Sequence, residues 1–553
     1  IWDFAVQPGS VFPRQVRAAI RRQGALIHEA SWPVLDAHGS AQLSLTDVDL
    51  WWPLGFDGPG PAALYDADLE LVGRDGEALG VQTTRLGLRT VRLERTEATS
   101  TAEPGEFVFR INGERVFCHG TNWVPLDAFH SRDQQHLDAA LEMAVELNCN
   151  MLRCWGGNVY EDHPFFDRCD QRGIMVWQDF AMACAIYPQD GDFARRLRHE
   201  AEAILRQLRN HPSLVLWSGN NEIDDAYHWH AGLDPNTDRL SRQVLPEVVR
   251  RLDPFRPYLP SSPYHSPEYL RRRDRGAQMP EQHLWGPRGD FKAPFYTQSA
   301  CHFVSEIGYH GCPDRRSLEQ FLDPDSVWPW QGNDQWLTHA VRPQPEIEFY
   351  DYRIGLMARQ ITVLFGTIPE ELDDFVLASQ ITQAEAKKFF VEWFRQGKWR
   401  RTGILWWNLR DGWPIISDAV VDYYNRRKLA YEYLRRVQAD LCLICGEPVD
   451  GRHPVDAVND TRRPASGRLS LRDADSGETL FEAEFRVAAN GRQTVGFVPS
   501  ANRPSLWLID WTVEGGATGR NHYLAGPRPF SLDDYRRWLG LLGIPPEVGP
   551  VRR

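Results

Sequence analysis

The chain has 553 residues, of which 42% are hydrophobic and 25% are charged, and it carries a formal net charge of −13. This length and composition are typical of a soluble globular protein with about two to four domains. The acidic balance argues against nucleic acid or an anionic membrane as the main partner, because phosphate contacts need a surplus of Lys and Arg. No apolar run reaches the ~18 residues that a membrane-spanning helix requires. The sequence does not indicate an oligomeric state.

The nine cysteines do not suggest a disulfide framework, since their number is odd and they are scattered through apolar or helical segments. Cys442 and Cys445 have the spacing of a redox or metal pair, but no second pair accompanies them. We interpret both as small buried hydrophobic residues. Unpaired cysteines and the lack of a signal peptide in this chain favour the cytoplasm, although the compartment is otherwise unknown.

Residues 1–100 are predicted to form an immunoglobulin-like β-sandwich. Stretches such as "AQLSLTDVDLWWP" and "VQTTRLGLRTVRLE" alternate apolar and polar residues, and Gly, Pro and Asp turns separate them. This pattern suits a small antiparallel sandwich.

Residues 101–438 are predicted to form a (β/α)8 TIM barrel that carries the catalytic site. Helical patterns such as "FARRLRHEAEAILRQLRN" alternate with short apolar runs in this region. Strand–helix alternation repeated in this way favours a barrel. The eight candidate strands, of which the fifth and sixth are weak, are Val116–Trp123, Met151–Trp155, Ile174–Gln178, Leu214–Ser218, Tyr258–Ser261, Gln282–Trp285, Phe303–Ser305 and Gly403–Trp407.

Residues 439–530 return to alternating patterns, as in "RLSLRDADSGETLFEAEFRV" and "SLWLIDWTVEG". They predict a second immunoglobulin-like β-sandwich, and residues 531–553 are predicted to form a C-terminal helix and tail. The expected fold is therefore multidomain, with a central TIM barrel flanked by immunoglobulin-like β-sandwich domains.

Acids, amides and tryptophans follow six of the predicted barrel strands. Because the active sites of such barrels lie at the carboxyl ends of the strands, these residues are the candidates for chemistry. They are Asn122, Trp123 and Asp127; Arg153, Trp155 and Glu161; Gln178 and Asp179; Asn220, Asn221 and Glu222; Glu306; and Trp407, Asn408 and Asp411.

Sequence motifs for other chemistries are missing. There is no GxGxxG after a strand, no GxxxxGK[ST] and no HExxH. We therefore predict neither a cofactor nor a metal.

Glu222 and Glu306 follow the fourth and seventh predicted strands, so we expect them to face each other across the barrel rim. Two such carboxylates suit glycoside hydrolysis, in which one is a general acid and the other a nucleophile. The acid needs a raised pKa, which burial near apolar or like-charged neighbours would supply. The alternative is that both are structural acids held in buried ion pairs.

At these residues the sequence resembles glycoside hydrolase family 2, in its β-mannosidase-like branch, over nearly the whole chain. "HGTNWVPLDAF", "NMLRCWGGNVYE" and "IMVWQDFAMACAIYP" are similar to segments at the first three barrel strands of that family. "NHPSLVLWSGNNE", "FVSEIGYHGCP" and "GILWWNLRDGWP" resemble its acid/base, nucleophile and eighth-strand segments. The jelly-roll domain that usually opens the family has no counterpart here, which leaves open whether a further segment precedes Ile1.

The resemblance implies a retaining exo-β-glycosidase that acts on the non-reducing end of a glycoside or oligosaccharide, with β-mannosidase as the best match. Glu222 would be the general acid/base, Glu306 the nucleophile, and Asn221 the ligand of the sugar 2-hydroxyl. Trp407 would lie under the sugar. Further residues would surround the substrate, namely Trp155, Arg153, Asn122, Trp123, Asp179 and Asp411. The two carboxyl groups would lie about 5–5.5 Å apart.

Two alternatives stay open. The same residues could act on a β-glucosaminide, β-galactoside or β-glucuronide, or the chain could be a carbohydrate-binding protein without activity. Arg410 stands where the family usually has another residue, and it would either favour an acidic sugar or pair with Asp411 or Asp418.

Overall fold

The N-terminal region consists of antiparallel sheets in the computed structural model, which describes residues 2–7, 9–56, 62–340 and 353–544. Its strands, β1 to β9 in chain order, are Trp2–Asp3, Gln15–Arg22, Ala25–Pro33, His38–Gly39, Tyr65–Val72, Ala78–Leu86, Val91–Arg95, Phe107–Ile111 and Glu114–Val116. One sheet has the order β3-β2-β5-β6, a second has the order β7-β8-β9, and β1 pairs with β4. These are antiparallel sheets of the kind that the alternating sequence pattern predicts.

Eight parallel strands in the middle of the chain form one curled sheet. They are, from β10 to β17, Cys118–Trp123, Met151–Cys154, Met175–Asp179, Leu214–Ser218, Tyr258–Leu259, Glu281–His283, Phe303–Glu306 and Gly403–Trp406. The sheet order β14-β13-β12-β11-β10-β17-β16-β15 is that of a TIM barrel whose seam lies between β14 and β15. Across this seam, Ser262 Oγ donates a hydrogen bond to Glu281 Oε1 at 2.8 Å. The predicted barrel is confirmed, and the strand ends agree with the prediction within two residues.

Helices follow most of the barrel strands. The helices α1 to α12 are Leu137–Glu146, His163–Arg172, Gly191–Leu208, Ile223–Asp225, Leu245–Leu252, Pro267–Arg272, Pro294–Thr297, Arg315–Phe321, Asp334–Thr338, Arg353–Phe365, Leu372–Gln396 and Leu429–Val437. Short 3-10 or π turns occur at His130–Gln135, Ala226–His230, Pro235–Thr237, Leu240–Val244, Arg273–Arg275 and Pro324–Ser326. In the part of the chain described, none of the helices combines the length and apolar character that a membrane crossing needs.

The sequence of α3 explains both its start and its buried face. The side chain of Asp190 accepts hydrogen bonds from the backbone N–H groups of Asp192 and Phe193, which caps the helix. Its buried residues recur every three or four positions and therefore form one apolar stripe. They are Ala194, Leu197, Ala201, Leu205 and Leu208.

The hairpin of β8 and β9 closes the amino-terminal end of the barrel. Phe107 and Phe109 pack against Trp177 and Phe303, with ring centroids 5.4 to 6.4 Å apart. Apolar side chains therefore fill this end of the barrel. The predicted boundary after residue 100 falls between β7 and β8, which pair with each other. The boundaries after residues 100, 438 and 530 stay predictions.

The C-terminal region contains two further antiparallel sheets and a helix. The strands β18 to β24 are Leu441–Cys445, Arg452–Asn459, Ala465–Asp473, Thr479–Val487, Arg492–Pro499, Ser505–Val513 and Thr518–Ala525, and the helix α13 is Leu532–Leu541. The sheets β18-β19-β22 and β21-β20-β23-β24 enclose a shared apolar core. Residues 545–553 of the predicted tail lie outside the described residues.

A buried carboxylate joins the C-terminal sheets to the barrel. Asp460 accepts from Arg395 at 2.8 Å and from Lys398 at 2.6 Å, and both cations follow or belong to α11. Burial alone would raise the pKa of Asp460, but the charges of Arg395 and Lys398 outweigh burial and lower it to about 2. This carboxylate therefore stabilises the fold at pH values above about 4, and that contribution is lost as the pH falls through about 2.

Replacing Asp460 by Asn should lower the free energy of unfolding by about 3–5 kcal/mol, because the variant leaves buried cations without a counter-charge. Urea denaturation followed by Trp fluorescence measures the loss. Glu484→Gln is the matched control, since Glu484 and its partner Arg468 have side chains that are 76% and 80% exposed. Equal midpoints for Asp460→Asn and the parent chain would contradict the assignment.

Candidate active site

Glu222 and Glu306 meet at the carboxyl end of the barrel. Glu306 is the last residue of β16 and is 3% exposed, whereas Glu222 follows β13 and has a side chain that is 24% exposed. One oxygen of each carboxylate and one ring nitrogen of His283 lie within 4.8 Å of one another. Glu306 thus lies at the bottom of the site and Glu222 lies closer to solvent.

The guanidinium of Arg153 connects the carboxylates to the surrounding amides. Its NH1 donates to Asn122 Oδ1 at 2.8 Å and to Glu306 Oε1 at 2.6 Å. Its NH2 donates to Asp179 Oδ2 at 2.8 Å and to Asn221 Oδ1 at 2.7 Å. Arg153 is fully buried, and burial raises the pKa of Asp179 to about 6 in spite of this cation. The predicted residues Arg153, Asn122, Asp179, Asn221 and Glu306 are therefore brought together.

Glu222 has an unusual backbone conformation. Its φ of 54° lies in the left-handed region, where a residue with a Cβ is strained by about 1–3 kcal/mol. Two hydrogen bonds hold it there. Glu222 N donates to Ser262 O at 2.9 Å, and the next N–H, that of Ile223, donates to Asn220 Oδ1 at 3.1 Å. This turn directs the Glu222 side chain toward Glu306.

His283 is the closest partner of Glu222. Its Nδ1 is 2.7 Å from Glu222 Oε1 and 3.5 Å from Glu306 Oε2. Burial favours the neutral form of Glu222, but the hydrogen bond and charge of His283 outweigh burial and lower the pKa of that carboxyl. The sequence-based expectation of a raised pKa for Glu222 is thus wrong, because the imidazole of His283 faces this carboxyl group.

Three tryptophans frame the cleft. Trp407 is edge-on to Trp155, with centroids 5.4 Å apart, and edge-on to Trp285, with centroids 6.1 Å apart. Trp285 Nε1 also donates to Glu306 Oε2 at 2.8 Å. The predicted Trp155 and Trp407 therefore lie together beside the nucleophile candidate.

Trp123 and Asp411 are not brought to the two carboxylates. Trp123 is 1% exposed, packs on Phe165, and donates its indole N–H to Glu161 at 2.9 Å. Its side chain leaves the strand on the opposite face from that of Asn122, as the pleat requires. Asp411 accepts from Ser417 instead, and burial raises its pKa to about 7.

Arg410 binds neighbouring loops and does not form the ion pair with Asp411 or Asp418 that was one of its two predicted roles, as far as the described residues show. Its guanidinium donates to the backbone oxygens of Leu126, Asp411 and Tyr423 and to the side chain of Asn425. Within the described ranges it forms no salt bridge with a carboxylate. Four of its five N–H groups are thus occupied by loop residues.

His283, Trp285 and Cys184 are site residues that the sequence prediction missed. His283 ends β15, the weak sixth strand, and Trp285 follows it, so inspection of the residues after that strand was the available signal. Cys184 lies in the segment after β12, and its Sγ donates to Glu222 Oε2 at 3.3 Å. No sequence pattern pointed to this cysteine.

Two groups of side chains have the spacing of metal ligands in the described part of the chain. One is Glu222, His283 and Glu306, and the other is Asp167, Asp170 and His211. In the second group, His211 is hydrogen-bonded to Asp170 at 2.6 Å. In the first group, His283 is hydrogen-bonded to Glu222 at 2.7 Å.

The chain resembles known β-mannosidases in sequence. It is 29% identical over 539 residues to a β-mannosidase B of Aspergillus niger, and 32% identical over 520 residues to a β-mannosidase B of Aspergillus fumigatus. The alignments cover 90% and 88% of this chain, and 60% and 58% of those proteins. The chain therefore spans about three-fifths of the length of the curated relatives it matches. No protein-family model matches it.

The fold also has a solved counterpart. The crystal structure of a β-D-mannosidase from Dictyoglomus thermophilum superimposes with a TM-score of 0.80 at 28% identity. That match covers 94% of this chain and 63% of the other. The sequence resemblance and the predicted fold class are thereby confirmed.

Iodoacetamide should modify Cys184 slowly at pH 8, because partial burial of the thiol and the neighbouring charge of Glu222 raise its pKa to about 12. Glu222→Gln removes that charge, so alkylation should become at least about threefold faster. Mass spectrometry of the modified peptide measures the rate. Glu247→Gln, on α5, is the control and should leave the rate unchanged. Equal rates in the parent chain and Glu222→Gln would exclude the contact between the two side chains.

Proposed function

Because the chain is a β-mannosidase-like protein of the glycoside hydrolase family 2 type, we propose that it is a retaining exo-β-glycosidase. Its substrate is a glycoside or oligosaccharide, and the sugar that it removes from the non-reducing end is β-linked mannose. The proposal rests on the relatives for the sugar and on the site geometry for the reaction.

The separation of the two carboxylates is the observation that carries the reaction type. Oxygens of Glu222 and Glu306 lie within 4.8 Å of each other. Retaining glycosidases hold their carboxyl groups about 5–5.5 Å apart, whereas inverting enzymes leave about 6.5–9.5 Å for a water molecule. The distance supports double displacement, since there is no room for a water molecule between an inverting base and the sugar.

In this mechanism Glu306 attacks the anomeric carbon and Glu222 protonates the leaving oxygen. Three features suit Glu306 to the role of nucleophile. It is buried, it accepts from Arg153 and from Trp285, and it is fixed at the end of a strand. Glu222 suits the second role because it lies closer to solvent, where the leaving group departs. After the first step, Glu222 takes a proton from the water that hydrolyses the glycosyl ester.

The remaining contacts are proposed from the same geometry. Asn221 would bind the sugar 2-hydroxyl, and Trp407 with Trp155 would pack on the sugar face. Arg153, together with Asn122 and Asp179, would hold Asn221 and Glu306 in place. Trp123 and Asp411 are left out of this set, because the Trp123 indole donates to Glu161 and Asp411 Oδ1 accepts from Ser417.

Glu306→Gln should reduce kcat about 10⁴-fold or more, because an amide cannot form the glycosyl ester. Glu222→Ala should lose activity on poor leaving groups and regain part of it with azide on aryl glycosides. Both are measured by release of nitrophenol from activated β-mannosides. The control Glu247→Gln should retain full activity. If Glu222→Ala leaves kcat/KM unchanged, the assignment of the acid/base is wrong.

A panel of nitrophenyl β-glycosides should show the largest kcat/KM for the mannoside, measured against the glucosaminide, galactoside and glucuronide. If another glycoside has the largest kcat/KM, the proposed sugar is wrong but the proposed mechanism still stands. Binding of sugars by calorimetry without turnover of any glycoside would instead favour a carbohydrate-binding protein. The parent chain is the reference in each assay, and Glu306→Gln gives the background rate.

A further inference from the structure

His283 touches both carboxylates of the site through one ring nitrogen. Its Nδ1 is 2.7 Å from Glu222 Oε1 and 3.5 Å from Glu306 Oε2. The imidazole is 2% exposed, so solvent hardly reaches it. A change of charge on either carboxylate therefore directly changes how strongly this nitrogen binds its proton.

The opposite ring nitrogen has a fixed partner. His283 Nε2 lies 3.1 Å from Ser262 Oγ, and Ser262 Oγ donates to Glu281 Oε1 at 2.8 Å. The same carboxylate accepts from Ser305 Oγ. A serine hydroxyl has one proton. Since Ser262 gives that proton to Glu281, its oxygen accepts from Nε2–H, which keeps Nε2 protonated.

The hydrogen bond between His283 and Glu222 consequently contains a proton that can lie on either group. Either Nδ1–H donates to the Glu222 carboxylate, or the protonated Glu222 donates to Nδ1. The two forms have the same number of protons and differ by a short transfer along a 2.7 Å hydrogen bond. The charges around the ring decide between them.

The groups with charge that face the ring are Glu222, Glu306, Glu281 and Arg153, with Asp179 behind Arg153. Burial disfavours the imidazolium, but the charge of Glu306, and then the hydrogen bond and charge of Glu222, outweigh burial and the repulsion of Arg153. Together they raise the pKa of His283 to about 9. At neutral pH the resting site therefore holds its proton on His283, and Glu222 is a carboxylate.

Building on the proposed function, we propose that His283 stores the proton that the leaving group receives and that glycosylation of Glu306 releases it. His283 acts through Glu222 and is a positioning residue for the proton. Glu222 then need not be protonated at rest, which reconciles its lowered pKa with its role as the acid.

The first step conserves protons and charge. Glu306 forms a bond to the anomeric carbon, and the bond from that carbon to the leaving oxygen breaks with its electron pair on the oxygen. The Nδ1 proton passes to Glu222, and Glu222 gives a proton to the leaving oxygen. The ester removes the negative charge of Glu306, which is the charge that stabilises the imidazolium most. His283 therefore ends neutral. Glu222 ends as a carboxylate.

The second step runs in the opposite direction. Water attacks the anomeric carbon, and the ester bond breaks with its electron pair on Glu306. The water gives up a proton to Glu222, which passes it to Nδ1. The restored charge of Glu306 stabilises the imidazolium again, and the resting site is regenerated.

The pH dependence of kcat/KM tests the stored proton. In the parent chain the alkaline limb should fall at about pH 9, where His283 loses its proton. His283→Gln keeps a hydrogen-bond donor beside Glu222 but cannot carry the proton. Its alkaline limb should therefore move toward acid by at least about 1 pH unit, since Glu222 alone must hold the proton. A limb in His283→Gln that coincides with the parent limb would overturn the proposal.

A second measurement does not depend on turnover. Nitrogen-15 NMR of histidine-labelled protein reports the charge of His283, whose signals are assigned by their loss in His283→Gln. The parent chain should show an imidazolium at pH 7. Glu306→Gln mimics the uncharged ester and should lower the titration midpoint of His283 by at least about 1 unit. Asp225→Asn, which removes a carboxylate that faces His265 instead, is the matched control and should leave the midpoint unchanged.

The two measurements separate the inference from the proposed function. Neutral His283 at pH 7 in the parent chain, or equal midpoints in the parent chain and Glu306→Gln, would overturn the inference even if glycosides are hydrolysed. A chain that hydrolyses no glycoside but shows the shifted midpoint would refute the proposed function and support the coupling of the His283 proton to Glu306.

Discussion

The buried guanidinium of Arg153 is the constraint on which the candidate site depends. A cation without access to water is costly unless carboxylates and other acceptors surround it. Four of its five N–H groups bind side chains from four other barrel strands or their ends, at 2.6 to 2.8 Å. All four side chains therefore have to stay within reach of one guanidinium, and none can shift without leaving a buried N–H group without an acceptor.

This requirement explains why the site can tolerate strain at its rim. Glu222 and Cys184 both have left-handed backbone conformations, with φ of 54° and 51°. Their side chains contact each other, and Asn221, held by Arg153, donates to Cys184 Sγ at 3.3 Å. The rigid centre thus supports the strained residues, and the strain directs the Glu222 carboxylate into the cleft.

The rest of the barrel keeps this arrangement in one place. The β8–β9 hairpin fills the amino-terminal end with aromatic side chains, and α11 binds the C-terminal region through buried polar groups. On α11, Glu385 accepts from Tyr535 and lies 2.8 Å from His522 Nε2. Burial would raise the pKa of Glu385, but His522 and the nearby Lys388 lower it to about 2. The polar contacts at one side and the apolar plug at the other leave the carboxyl end of the strands as the open face.

The sequence alone determined the barrel strands and the two carboxylates. Parallel strands that are buried on both faces appear as continuous apolar runs, and Glu222 follows one such strand after three residues whereas Glu306 ends another. It also indicated the relatives, because the polar segments after the strands are contiguous and keep their order. The boundaries between the sheets were harder to predict from the sequence, since β7 and β8 pair across the predicted division after residue 100.

Only the tertiary structure decided which residues share a charge environment. His283 lies 61 positions from Glu222, and Arg153 lies 153 positions from Glu306, so no local pattern connects them. The strand that ends in His283 has three residues, too few for a clear periodicity. The pleat turned Trp123 away from the cleft, and loop carbonyls took the donors of Arg410. The pKa of Glu222 fell because folding placed a buried imidazole against it, and burial and proximity are properties of the folded chain.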